Sequence, residues 1–180
     1  TKMTHKQQSL INDFLEALSQ DDRPVFGDII NWIIELGYIP QKQNVKDFVL
    51  SFKHKQNGKI IAKMGIRKQK GFLSIKFFAC KNVPEKYIAA LGENPEDAYN
   101  RLPPPERDKL RANEIMLKCT LSCDICTGGK MRYYHQYPDG EEIYLCGAYP
   151  VLIPDITGKD LEDIKRLISE QHQYFISLAQ

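Results

Sequence analysis

The segment "FVLSFKHKQNGKIIAKMGIRKQKGFLSIKFF", residues 48–78, decides the fold because its apolar and polar side chains alternate with the period of a β-strand. Asn57-Gly58 between two alternating runs is a strong hairpin signal, since both residues tolerate positive φ. The polar run at residues 67–71 predicts a second turn. The segment therefore predicts a three-stranded antiparallel meander. Its expected apolar positions are Phe48, Leu50 and Phe52, then Ile60, Ala62, Met64 and Ile66, then Leu73, Ile75 and Phe77.

Helical periodicity surrounds this meander. One helix is predicted to begin near Thr4, and a second to run from Pro24 in its first turn to Gly37 at its end. Thr157 and Asp160 have the spacing of a capping box before a long last helix. Shorter helices are expected at residues 84–91 and from the prolines at 103–105 to about residue 116. The predicted fold class is α+β.

The second half of the chain contains another predicted hairpin, "MRYYHQYPDGEEIYLC", at residues 131–146, with a Pro-Asp-Gly turn. The prolines at 103–105 form a stiff connector. We therefore predict a helical and antiparallel-sheet lobe at 1–102 and a smaller lobe at 103–180 with the cysteine cluster, hairpin and last helix. The last helix can return to the first sheet, and the two lobes can then pack as one domain.

Composition is that of an ordinary globular chain. The 180 residues are 42% hydrophobic and 27% charged, with a net charge of +2. The longest apolar stretch, residues 29–39, is too short and too polar to span a bilayer. The first residues lack the apolar core of a signal peptide, and the five cysteines are an odd number. These features predict a cytoplasmic protein with reduced thiols and no membrane segment.

The stretch "CTLSCDICTGGK", residues 119–130, brings three cysteines into eight positions. Cys123 and Cys126 have the spacing of a zinc knuckle, and Cys146 follows at a gap common for further ligands. Zinc prefers four such ligands in a tetrahedron, so Cys119 or His135 has to complete the set. The sequence thus predicts a closed, structural zinc site.

The predicted hairpin register chooses between these two candidates. It sets Cys146 opposite Arg132 and puts His135 on the other sheet face, about 10 Å along the strand. Cys119 can reach the metal by local folding of the chain. We therefore predict the set Cys119, Cys123, Cys126 and Cys146, with His135 as the alternative because a one-residue bulge would reverse the choice.

Other uses of the cysteines stay open. Cys123 and Cys126 are a possible thiol-redox pair, although Gly128 and Gly129 disfavour the helix that usually lowers the thiol pKa. "CTLSCDIC" is similar to the C-x3-C-x2-C motif of radical S-adenosylmethionine enzymes, whose cysteines hold a 4Fe–4S cluster. That resemblance covers eight residues, with Ile125 at a usually aromatic position, and we take no roles from it. Cys80 ends an apolar strand and is predicted to be a core thiol.

The meander is also the basic part of the chain. Residues 48–84 hold nine Lys and Arg and no Asp or Glu. Alternation assigns most of them to one sheet face, which could attract an acidic partner or ligand, nucleic acid included, or could be an ordinary solvated lysine face. The predicted polyanion-binding residues are Lys53, Lys55, Lys59, Lys63, Arg67 and Lys76.

No catalytic constellation is evident. The four histidines, at 5, 54, 135 and 172, form no recognisable triad or metalloprotease motif, and there is no phosphate-binding glycine loop. The sequence therefore predicts a binding or interaction module, with no enzymatic activity assigned.

Overall fold

A computed structural model describes residues 3–67, 70–90, 119, 130–136, 139–147, 150–153 and 155–178. Over these ranges the chain is of the α+β class, as predicted, with two antiparallel sheets. The helices are α1 (His5–Ala17), α2 (Asp22–Glu35), α3 (Glu85–Ala90) and α4 (Leu161–Ser177). The strands are β1 (Tyr38–Lys42), β2 (Phe48–His54), β3 (Ile60–Arg67), β4 (Lys70–Ile75), β5 (Arg132–Gln136), β6 (Glu142–Cys146) and β7 (Val151–Ile153).

The larger sheet has the strand order β1-β2-β3-β4-β7, with every neighbouring pair antiparallel. The predicted meander β2-β3-β4 is confirmed, and the structure adds one strand at each edge. Pro40 lies in edge strand β1, where a missing backbone N–H is tolerated. One predicted position is wrong: the pairing register shifts between Phe52 and Lys53, so Ile60 lies opposite Lys53 and leaves the expected apolar alternation.

Helices α1, α2 and α4 pack with the sheet around a continuous apolar core. Thr4 and Gln7 form a capping box at the start of α1. Phe14 on this helix is buried, and its ring contacts those of Phe26 and Phe48. Burial of each such large side chain stabilises the fold by about 1.5–3 kcal/mol. The core residues with no exposed surface are Phe14, Ile29, Ile30, Ile33, Tyr38, Leu50, Phe52, Ile61, Ala62, Met64, Leu73, Ile75, Ile164, Leu167 and Ile168.

The last helix returns to the first sheet. The predicted capping box of Thr157 and Asp160 is present and introduces a single 3₁₀ turn before α4 begins at Leu161. Helix α4 is joined to α2 by a hydrogen bond of 3.1 Å from Trp32 Nε1 to Ser169 Oγ. Strand β7 pairs with β4, so elements of both predicted lobes share one sheet. The boundary at residues 102 and 103 lies outside the described residues, and the division into lobes stays a prediction.

Hairpin β5–β6 has the predicted register, with Arg132 opposite Cys146. Tyr133 attaches the hairpin to the larger sheet because its ring contacts Phe77 and Phe78, with centroids 4.8 and 6.1 Å away. The buried Tyr133 hydroxyl accepts a hydrogen bond of 3.2 Å from the Phe77 N–H. The helix predicted from residue 105 to about residue 116 falls in a part of the chain that the structure does not describe.

Candidate functional site

A pocket of about 400 Å³ opens where the end of α2, strand β1, the β2–β3 turn and α4 meet. It combines two imidazoles and a phenol with apolar side chains, and a carboxylate and an ammonium group also line it. We call it the histidine pocket. Its lining residues are Met3, Ile34, Glu35, Leu36, Gly37, Tyr38, Ile39, His54, Lys55, Gln56, His172, Gln173 and Ile176.

Gly37 shapes this pocket by turning the chain from α2 into β1. Its φ of +94° lies in a region that L side chains rarely adopt, and its N–H donates to the Ile34 carbonyl at 2.9 Å. A Cβ at Gly37 would lie 3.2 Å from His54 Nε2, so glycine also allows the imidazole to approach the backbone. Strand β1 then pairs Tyr38 with His54.

Tyr38, His54 and His172 form a buried polar cluster at the base of the pocket. The Tyr38 hydroxyl is 3.2 Å from His172 Nδ1, and the two imidazole centroids are 5.6 Å apart. The ring of Tyr38 lies edge-on to His54 at 4.9 Å. The exposed fractions of His54 and His172 are only 6% and 9%, so both rings are largely desolvated yet line a cavity.

Burial sets the protonation of this cluster. It raises the pKa of Tyr38 far above its usual range, so the phenol stays protonated. Burial also lowers the pKa of His172, and the nearby His54 lowers it further. The His172 ring is therefore held neutral near pH 7, and its Nδ1 can accept a hydrogen bond from the Tyr38 hydroxyl.

Sequence reasoning missed this cluster because its members are distant in the chain. A signal was present, however: His54 continues the apolar alternation of Phe48, Leu50 and Phe52, and an imidazole at a core position needs a partner. His172 likewise falls on the buried face of α4. The partner, His172, could be identified only from the packing of α4 in the folded chain.

Of the predicted zinc ligands, Cys119 and Cys146 are described, and both are half-buried. The Cys119 N–H donates a hydrogen bond of 3.2 Å to the carbonyl of Tyr144, two residues before Cys146 on β6. Cys123 and Cys126 lie outside the described residues. Among the residues the structure does describe, no group of three or more His, Cys, Asp or Glu could hold a metal ion.

The alternative ligand His135 is opposite Ile143, three residues along β5 from the Arg132–Cys146 pair. This is the register on which Cys119 was preferred, although the ligand set itself stays a prediction. Cys80 is half-buried rather than fully buried and packs against the core, with its thiol donating to the Leu167 carbonyl at 3.1 Å.

The basic sheet face is present, and an acidic side chain, Asp47, lies beside it. Lys63 is opposite Ser51 on one side and Ser74 on the other, on the face away from the paired core residues Leu50 and Met64. By alternation, Lys53, Lys63 and Arg67 share this face. Arg67 also lies 3.7 Å from Asp47 and over the Phe72 ring. Lys55 and Lys59 are exposed beside the β2–β3 turn, and Lys76, just past β4, is half-buried.

Comparisons with known proteins found no matching family model, no matching curated protein and no matching solved structure. No helix within the described ranges is long and apolar enough to cross a membrane. Three features of the chain's own geometry bear on its function: the pocket, the cysteines and the sheet face.

Proposed function

We propose that this chain is a binding module in which one structural zinc ties hairpin β5–β6 to the neighbouring cysteine segment. The proposed ligands are Cys119, Cys123, Cys126 and Cys146. The observation that carries the proposal is the hydrogen bond of 3.2 Å from the Cys119 N–H to the Tyr144 carbonyl, because it holds the first cysteine of the cluster beside the strand that ends in the fourth.

The spacing of the four cysteines would allow them to bind a single metal ion. Cys146 follows Tyr144 by two strand residues, or about 7 Å. Zinc binds each thiolate sulfur at about 2.3 Å, and a cysteine side chain adds nearly 3 Å of reach on either side. Cys123 and Cys126 follow Cys119 by only four and seven residues, so a tight local turn could bring all four thiolates to one ion.

A metal there would have a clear structural task. A two-stranded hairpin is marginally stable alone, and the contact of Tyr133 with Phe77 and Phe78 is one attachment of this hairpin to the larger sheet. Four thiolates would fill the coordination shell and leave no position for a water. The zinc would then stabilise the binding surface rather than perform chemistry.

Elemental analysis of the full chain tests the proposal. We expect about one zinc per chain in the wild type and in Cys80→Ser, the matched control, and loss of the metal in Cys146→Ser. Wild-type protein without zinc, even after supply of zinc under reducing conditions, would contradict it. A reversible loss of two hydrogens mapped to Cys123 and Cys126 would favour the redox alternative.

A second candidate function is polyanion binding through the basic sheet face. It is favoured by the shared face of Lys53, Lys63 and Arg67 and by the exposed Lys55 and Lys59 beside it. An acidic partner would have to compete with Asp47 for Arg67.

The test is retention on heparin at low salt. The double variant Lys59→Glu/Lys63→Glu should elute at clearly lower salt than the wild type, because each lost phosphate-type contact reduces the salt dependence of binding. Lys6→Glu/Lys159→Glu is the matched control, since these two exposed lysines lie in α1 and before α4, and the double variant makes the same change of charge. Absence of retention for the wild type would remove this candidate.

A further inference from the structure

We propose that the histidine pocket binds a small monocarboxylate with an apolar tail, and that His172 takes up one proton when the ligand binds. This inference is independent of the zinc and of the basic face. It rests on the hydrogen bonds, the charges and the walls of the pocket.

The hydrogen bonds leave two donors for a ligand. The Tyr38 hydroxyl lies 3.2 Å from His172 Nδ1, and the Asn57 backbone N–H donates to His54 Nδ1 at 3.5 Å. We assign the donor role to the Tyr38 hydroxyl, which stays protonated, so that each imidazole, when neutral, carries its proton on Nε2. Neither Nε2 has a hydrogen-bond partner among the described residues. Two such N–H groups, on rings whose centroids are 5.6 Å apart, could each donate to one oxygen of a carboxylate.

The charges of the lining favour a monoanion. Its ionisable groups are Glu35 at the end of α2, Tyr38 on β1, His54 on β2, Lys55 after β2 and His172 on α4. The Glu35 and Lys55 charges cancel, and Tyr38 stays neutral. One protonated histidine then gives the lining a charge of +1. A phosphate dianion would remain undercompensated in this partly buried site.

The remaining wall mixes apolar side chains with Gln56 and Gln173 and has room for a short tail. A volume of about 400 Å³ is at the small end of the usual ligand range of about 300–1,000 Å³. Benzoate and hexanoate are suitable probes of this size. The apolar side chains of the wall are Met3, Ile34, Leu36, Ile39 and Ile176.

Proton uptake follows from the same geometry. In the empty pocket burial, and then the His54 ring at a centroid distance of 5.6 Å, lower the pKa of His172 and favour its neutral form. A carboxylate hydrogen-bonded to the pair favours the charged form instead. Binding above pH 7 thus requires a proton from solution. The affinity should therefore rise by up to about tenfold when the pH is lowered from 8.5 to 7.5.

Calorimetric titration of the full chain with benzoate and with hexanoate tests the proposal. At pH 7.5, two buffers of different ionisation enthalpy should report uptake of close to one proton per ligand. The histidine ring NMR signals of His54 and His172 should move on binding, whereas that of the exposed His5 should not. Proton uptake absent at pH 7.5 and at 8.5 would overturn the coupling.

Two lysines provide a matched pair of variants that should both fold. Lys55 and Lys59 are exposed on the same hairpin, but only Lys55 lines the pocket. Lys55→Ala should weaken benzoate binding about fivefold and Lys59→Ala should leave it unchanged. His172→Gln should abolish the proton uptake. No binding of either carboxylate by about 10 mM, equal binding of neutral benzamide, or tighter binding of inorganic phosphate would each overturn the proposal.

Discussion

Replacement of Gly37 by alanine tests two features of the histidine pocket: the positive φ of Gly37 and its close approach to His54. At φ +94° any side chain is strained, which costs about 1–2 kcal/mol. The added Cβ would also lie 3.2 Å from the buried His54 Nε2, a contact tighter than normal packing. Displacing a held core ring costs roughly 1 kcal/mol or more. Gly37→Ala should therefore lower the free energy of unfolding by about 2–3 kcal/mol.

Two other glycines make the measurement decisive. Gly58 has a φ of +70° in the turn between β2 and β3. Its added Cβ would meet only the flexible end of Lys53 at 3.4 Å, so Gly58→Ala reports the backbone cost alone. Gly158 has neither positive φ nor a neighbour within 4 Å, so its alanine variant should change little. Urea unfolding followed by far-ultraviolet circular dichroism and Trp32 fluorescence compares the three. If Gly37→Ala costs no more than Gly58→Ala, the close approach of His54 to Gly37 is refuted.

Three further predictions concern titration, hydrogen bonding and reactivity. Burial, and then the nearby His54, lower the pKa of His172 in the folded chain. Below about pH 6.5 the unfolded chain therefore binds more protons than the folded chain, and the free energy of unfolding should fall by at most about 1.4 kcal/mol per pH unit. Urea titrations of His172→Gln should lack this component, and parallel curves for the two proteins would contradict it. Tyr133→Phe should cost about 1–3 kcal/mol by urea unfolding because it leaves the Phe77 N–H unpaired, whereas exposed Tyr134→Phe should cost little; equal losses would argue against it. Burial, and then the charge of Glu170, raises the pKa of Cys80 to about 12, so alkylation at pH 7.5 mapped by mass spectrometry should be at least about a hundredfold slower than in urea; comparable rates would show that the thiol is accessible and ionised.

Local features of the fold were readable from the sequence. The meander came from a period of two and Asn57-Gly58, and the α4 start came from Thr157 and Asp160, because both signals act within a few residues. The register of β5–β6 followed from its turn length in the same way. Edge strands β1 and β7 were missed because Tyr38–Lys42 is interrupted by a proline and Val151–Ile153 is only three residues long.

The histidine pocket could not be predicted from the sequence, for a different reason. Tyr38, His54 and His172 come together only when a strand pairing and a helix docking are both in place, and neither leaves a local spacing in the chain. The position of Ile60 could not be predicted for a similar reason. A β-bulge shifts the pairing register there, and no turn residue in the sequence indicates it. The cysteine cluster is the reverse case, because its spacing is visible in sequence and its central residues are not described.

The pairing of β4 with β7 affects how the chain can vary in length. Leu73 lies opposite Ile153, eighty residues later, so this edge of the sheet closes a very long loop. The entropy of such a closure grows only with the logarithm of the length, and doubling the loop would cost about 0.6 kcal/mol. The region between these strands could therefore gain or lose whole elements over evolution while the sheet, and the histidine pocket at its far side, kept their geometry.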